Sequence, residues 1–300
     1  MRNRQILHDR SFKLAILITF LFLGIGFAFL HYGLADYSWI CFMLLPIVLG
    51  ISIGALPSRK WAYYGAIISA VIFLFLLLVG GLEGFVCVIM AIPILIPFIF
   101  LGSVIVHLAK RYRYLKSSDR LPVLLLPLIP FLIAAPIERI FKTEKKQLAE
   151  VKTERVYPYT TQAVYDAIKQ VDTLIADKPF LLQIGLPVPY KCVLENEAVN
   201  GIRTCYFSGG TITEKITELE KAKVLKMDII DYQLTGRKWL GFKEAIYYFE
   251  PVGRDNCKLT RVTTYTSELT PRWYWQPLEK MGISQEHSYV FDNLQRDLAK

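Results

Sequence analysis

Residues 208–232 read SGGTITEKITELEKAKVLKMDIIDY. After the paired glycines, Ile212, Glu214, Ile216 and Glu218 fall on one side of an extended chain, and further on Leu225, Met227 and Ile229 share a face. This period of two predicts antiparallel strands with one wet face. Outward from there, residues 242–251 and 258–266 supply two more strands, separated by the turn GRDN. Residues 190–195 and 201–207 read as a hairpin with Asn200–Gly201 as its turn signal. A strand at 151–157 stops at Pro158, and Thr161 caps a helix, TTQAVYDAIKQVD, with Val164, Ala167, Ile168 and Val171 on one face. A short helical or irregular piece covers 173–186, before Pro187 and Pro189 force extension. A last helix over 284–299, capped by Ser284, carries the apolar stripe Val290, Leu294 and Leu298.

Upstream the composition changes. The chain is 53% hydrophobic, but residues 14–137 hold long apolar runs with charge only in the breaks, whereas 138–300 spread their charges throughout. A helix needs ~20 apolar residues to cross a bilayer, and five segments qualify as spans: 14–34, 39–56, 61–79, 85–108 and 121–137. The first is too long and too apolar for a cleaved signal peptide, and no small-residue cleavage site follows it. The fifth carries Pro122, Pro127, Pro130 and Pro136, which makes it kinked or re-entrant. The expected organisation is a transmembrane region at 1–137, a linker at 138–148 and an attached domain at 149–300.

The breaks alternate in charge. MRNRQILHDRSFK, PSRK and AKRYRYLKSSDR are basic, with Arg2, Arg4, Arg10, Lys13, Arg59, Lys60, Lys110, Arg111, Arg113 and Lys116 at span edges; ADYS and GGLEG carry only Asp36 and Glu83. Short basic loops stay cytoplasmic. The N-terminus is therefore expected inside the cell (plasma or inner) membrane, and five crossings put the attached domain outside. Arg139, Lys142, Lys145 and Lys146 oppose this: were 121–137 not to cross, the domain would be cytoplasmic. The net charge of +9 thus addresses the lipid bilayer, and no basic-aromatic motif points to nucleic acid. The spans hold no internal charge and no obvious repeat, and His31 and His107 lie near span ends, so the region reads as an anchor.

The order strand, helix, short helix, antiparallel strands and long terminal helix resembles the SRPBCC, or START-like, superfamily with its polyketide cyclase/dehydrase-like members. The resemblance rests on residues 208–232, on FKEAIYYFEPVGRDNCKLTRVTTYT at 242–266, and on the terminal helix; it covers roughly 149–300. It implies an α+β helix-grip fold, an antiparallel sheet wrapped around the C-terminal helix, with a cavity for an apolar ligand.

Candidate ligand-binding residues are Phe180, Tyr190, Phe207, Met227, Ile229, Tyr247, Phe249, Tyr265 and Trp275; as a set they suit a hydrophobic small molecule or lipid. Glu214 shares a face with Ile212 and Ile216, so if that face is inward it needs a cationic partner such as Arg261 or Lys226. PRWYWQP at 271–277 is an aromatic lip, an interfacial belt or a packed loop. Cys192 and Cys205 sit on the two hairpin strands. A strict Asn-Gly register would not oppose them but a longer loop at 196–201 would, giving a disulfide outside the cytoplasm and buried thiols inside it. His287 falls in the first turn of the last helix, at the surface. No Ser/His/Asp motif, phosphate loop, metal spacing or cofactor motif is visible. A membrane-anchored binding module is expected, serving as carrier, sensor or accessory. The alternatives are a cyclase/dehydrase- or hydrolase-like enzyme and a ligand-free assembly protein.

Overall fold

The computed structural model describes residues 9–141, 147–234 and 239–300; Arg2, Arg4, Lys142, Lys145 and Lys146 lie outside them. Contacts divide the chain into two compact units, one built mainly on the residues before 142 and the other on those after 146, with 268–271 grouped with the first and 83–86 with the second.

The first unit is helical. Helix α1 (Arg10–His31) is capped by Asp9, whose side chain accepts from the Phe12 N–H at 3.1 Å. A π-helical turn (Ile40–Leu44) leads into α2 (Leu45–Ala55), followed by α3 (Arg59–Val79) and α4 (Phe85–Arg111). Then α5 (Leu121–Leu125), a 3-10 turn (Leu126–Leu128) and α6 (Ile129–Phe141) form one apolar rod, interrupted where Pro127 lacks a donor. Among the described residues four helical segments are long and apolar enough to cross a membrane: Arg10–His31, Arg59–Val79, Phe85–Arg111 and Leu121–Phe141; Ile40–Ala55 is apolar but shorter.

Their contacts give the direction of each pass. Helix α3 runs parallel to α1, with Ser69 Oγ donating to the Ile16 carbonyl at 3.0 Å and the Phe73 ring 5.4 Å from that of Phe20. Helix α4 returns along α3, where Arg59 meets His107 at 3.2 Å and Tyr63 bonds Ser103. Helices α2 and α4 touch backbone to backbone: a Cβ on Gly50 would lie 2.0 Å from the Ile99 carbonyl oxygen, and one on Gly102 2.1 Å from that of Ile47. Lys110 Nζ donates to the carbonyls of Gly54 and Ala55 at the end of α2. The last rod starts beside the beginning of α1, through Arg10–Asp119 at 2.8 Å. It finishes beside the loop after α1, through Arg139–Asp36 at 2.7 Å and Ser38–Glu138. Among the described residues the unit therefore makes five helical passes between two ends, and 121–141 traverses the full length instead of turning back. Phe22, Leu49, Leu124 and Phe131 fill its core, while Ile67, Phe75, Ile96 and Phe100 are about 60% exposed.

The second unit is a curled seven-stranded antiparallel sheet gripping one long helix. Strands β1 (Gln147–Tyr157), β2 (Pro189–Leu194), β3 (Ile202–Phe207), β4 (Gly210–Glu220), β5 (Val224–Leu234), β6 (Leu240–Val252) and β7 (Asn256–Ser267) lie in the order β1-β7-β6-β5-β4-β3-β2. Helices α7 (Thr161–Lys169) and α8 (Phe180–Gln183) connect β1 to β2, and α9 (Arg272–Leu298) closes the chain. This is the expected α+β helix-grip architecture.

Three local expectations need correction. The cap of α7 is Thr160, whose hydroxyl accepts from the Ala163 N–H at 3.3 Å. Register shifts at 213/214 and 216/218 in the β4–β5 pairing are bulges, so Glu214 faces in while Glu218 turns out to solvent. Helix α9 begins at Arg272, well before residue 284, and takes in both Pro277 and Gly282, residues that read as breakers.

Candidate functional site

Strand alternation carries a row of polar side chains into the space between the sheet and α9. Arg203 on β3 stands opposite Glu214 on β4, and their side chains are only 3% and 6% exposed. One guanidinium nitrogen donates to Glu214 Oε2 at 2.9 Å and another to the Ile168 carbonyl at 3.2 Å. Arg261 on β7 donates to both carboxylate oxygens of Glu286 on α9, at 3.2 and 3.1 Å. Tyr247 on β6 pairs with Arg261 in register, and its ring lies 5.4 Å from the Arg261 guanidinium carbon and 5.8 Å from that of Arg203. Burial opposes the charge on both arginines, but Glu214 beside Arg203 and Glu286 beside Arg261 outweigh it and raise both pKa values. The Nε–H groups of Arg203 and Arg261 are buried and have no acceptor among the described residues.

His287 corrects a further expectation. It lies mid-helix in α9 and is fully buried, held between the Thr153 hydroxyl of β1 (Nδ1, 2.9 Å) and the Thr263 hydroxyl of β7 (Nε2, 2.8 Å). Burial first, and nearby Arg261 second, hold its pKa well below the ordinary histidine value, so the ring is neutral. Toward the start of α9, buried Glu279 is saturated: Arg272 donates to it twice at 2.8 Å, Tyr265 at 3.1 Å and Ser267 at 2.6 Å.

The aromatic candidates separate. Met227, Tyr247 and Phe249 join one buried cluster with Val164 and Ile168 of α7 and Val290, Phe291 and Leu294 of α9. Tyr265 belongs to a second cluster with Ala149, Leu240 and Ile283, and Phe207 packs on a third with Cys192, Cys205 and Tyr289. Trp275 is buried and Ile229 half-buried. Phe180 and Tyr190 stand at the surface, 65% and 49% exposed, away from these clusters. Glu214 is paired with Arg203; neither Arg261 nor Lys226 is its partner, since Lys226 bonds Glu244 at 2.7 Å.

Cys192 and Cys205 are direct cross-strand partners, joined by a disulfide with their Cα atoms 4.0 Å apart. The connection at 195–201 is the longer loop, turning at Asn200 with φ 71°, a left-handed conformation that asparagine tolerates. Among the described residues no group of His, Cys, Asp or Glu is arranged to hold a metal ion.

No family model matches the chain, and no curated protein matches it by sequence. Solved structures do. ZhuI aromatase/cyclase from Streptomyces sp. R1128 is 11% identical, covering 51% of this chain and 94% of its own, with a TM-score of 0.38. A START superfamily protein from Mycobacterium smegmatis is 9% identical over 50% of this chain and 97% of its own, again with a TM-score of 0.38. Truncated norcoclaurine synthase from Thalictrum flavum is 15% identical over 50% and 95%, with a TM-score of 0.33. The half they match is the C-terminal one.

Proposed function

We propose that the second unit is a binding module for a hydrophobic small molecule or lipid, held at a membrane by the first; the linker expected at 138–148 is shorter, because α6 runs to Phe141 and β1 starts at Gln147. One observation carries the reading: Arg203, Glu214, Arg261 and a neutral histidine are buried between sheet and helix, with the Tyr247 ring against both arginines and Tyr247 itself clustered with Met227 and Phe249. Stability gives no reason to retain them, because buried ion pairs are often replaceable by apolar residues without loss. The membrane reading is supported by the exposed apolar surface of α3 and α4, which suits lipid and not water.

The orientation we propose rests on the charges at the two ends of the helical unit. Arg10, Arg59, Lys110 and Arg120 gather at the end where α1 begins, whereas at the other end, among the described residues, Asp36 and Glu138 accompany a single cation, Arg139, which is paired with Asp36. With the basic end cytoplasmic, the chain leaves the membrane region on the outer side, where the Cys192–Cys205 disulfide persists. A reporter fused at Lys300 tests this, and cytoplasmic activity would overturn it.

Native mass spectrometry of the full-length protein, extracted from its own membranes, tests binding. A discrete added mass that is lost in Met227→Arg supports the module. A clean apo mass that stays clean across a lipid panel favours the ligand-free assembly reading. The enzyme reading keeps one specific observation in its favour, the inward carboxylate of Glu214 with its ordered partner Arg203.

A further inference from the structure

Resting on that binding reading, we infer that Arg203 and Arg261 form the polar end of the site and select ligands bearing an uncharged hydrogen-bond acceptor, a carbonyl, ether or hydroxyl oxygen on an otherwise apolar body. Both side chains are buried, both approach the Tyr247 ring, and each has a guanidinium Nε–H that meets no acceptor among the described residues. Their other contacts are already assigned: Glu214, the Ile168 carbonyl and the Tyr247 side chain take Arg203, and Glu286 takes Arg261. A buried donor without an acceptor is costly. A bound oxygen relieves that cost, and a hydrocarbon does not.

The charge balance decides between a neutral and an ionised acceptor. Two guanidinium groups face two carboxylates, Glu214 and Glu286, and His287 beside them is neutral. The enclosed set is therefore already compensated. An entering carboxylate or phosphate would leave an unpaired negative charge out of water, whereas a neutral oxygen takes the free Nε–H groups and adds no charge. Met227, Phe249 and Val290, which share a buried cluster with Tyr247, supply the apolar part of the contact.

The test uses full-length protein in lipid nanodiscs and three probes of matched size: 2-acetylnaphthalene, 2-ethylnaphthalene and 2-naphthoate. Binding is read from probe fluorescence. The expected order is ketone tightest, with the hydrocarbon weaker by about tenfold or more, the worth of one hydrogen bond to a charged group, and the carboxylate weakest. Arg203→Lys/Arg261→Lys keeps both charges opposite their glutamates and removes both Nε–H groups, so the ratio of ketone to hydrocarbon affinity falls. Wild-type protein that binds ketone and hydrocarbon equally, or prefers the carboxylate, overturns the inference and leaves the binding module standing. Wild-type protein that binds none of the three overturns both. The wild-type comparison decides even if the double variant does not fold.

Discussion

Arg203 and Glu214 face each other across β3 and β4, joined at 2.9 Å and almost wholly out of water. Removing one partner strands the other. Glu214→Gln or Arg203→Met alone should cost about 3–5 kcal/mol, whereas Arg203→Met/Glu214→Leu should cost less than either. Denaturant midpoints of the four proteins, followed by tryptophan fluorescence, check this. Additive single costs in the double variant would show that the two residues do not act as a pair.

His287 makes stability depend on pH. Its folded pKa is depressed, so below the ordinary value of about 6.5 the unfolded chain binds a proton that the folded chain refuses. Stability is complete above that pH and falls as the pH drops toward the folded value, by at most about 1.4 kcal/mol per unit for one proton. Unfolding of wild type and His287→Gln between pH 5 and 7.5 measures it. The variant should lose that part of the slope; an identical slope would assign it elsewhere.

The disulfide closes a short loop between β2 and an inner strand. Loop-closure entropy predicts a loss of ~3 kcal/mol in Cys192→Ser/Cys205→Ser. Thermal unfolding with and without reductant should place reduced wild type with the variant.

In the first unit, Gly50 and Gly102 allow α2 and α4 to meet at backbone distance, because an added Cβ would strike a carbonyl oxygen. Gly50→Ala and Gly102→Ala should each lower stability in detergent by about 1–3 kcal/mol. Gly24→Ala is the control, since a Cβ there meets nothing within 4 Å. Size-exclusion profiles after graded heating separate the three.

The strands were legible because period-two alternation survives in single sequences: each of the seven lies within a few residues of its expectation. That Ile212, Glu214 and Ile216 share a face was legible for β4, but whether that face points inward was not, because a one-residue slip exchanges the faces. The partner of Glu214 was not, because identifying Arg203 requires the β3–β4 register, which sequence alone does not set. The phase of β3 held a clue, since Arg203 is two residues from inward Cys205. His287 was misplaced for one reason: Pro277 and Gly282 concealed the early start of α9, so a mid-helix residue looked like a surface residue at a helix start. Phe180 and Tyr190 were grouped with the interior by type alone, although aromatic character says nothing about which side of an element a residue occupies.

The sheet order has a consequence for how the protein is made. Among the described residues strand β1 pairs only with β7, so Gln147 waits for Ser267. As the chain emerges from its N-terminus, β1 appears first and its neighbour last. The strands between them are hairpin-connected and can pair as they arrive, but the edge of the first strand that β7 will cover stays open until nearly the whole unit is out. Synthesis thus leaves an interval in which that edge is exposed to other chains, and its length is set by the rate of elongation and not by the rate of pairing.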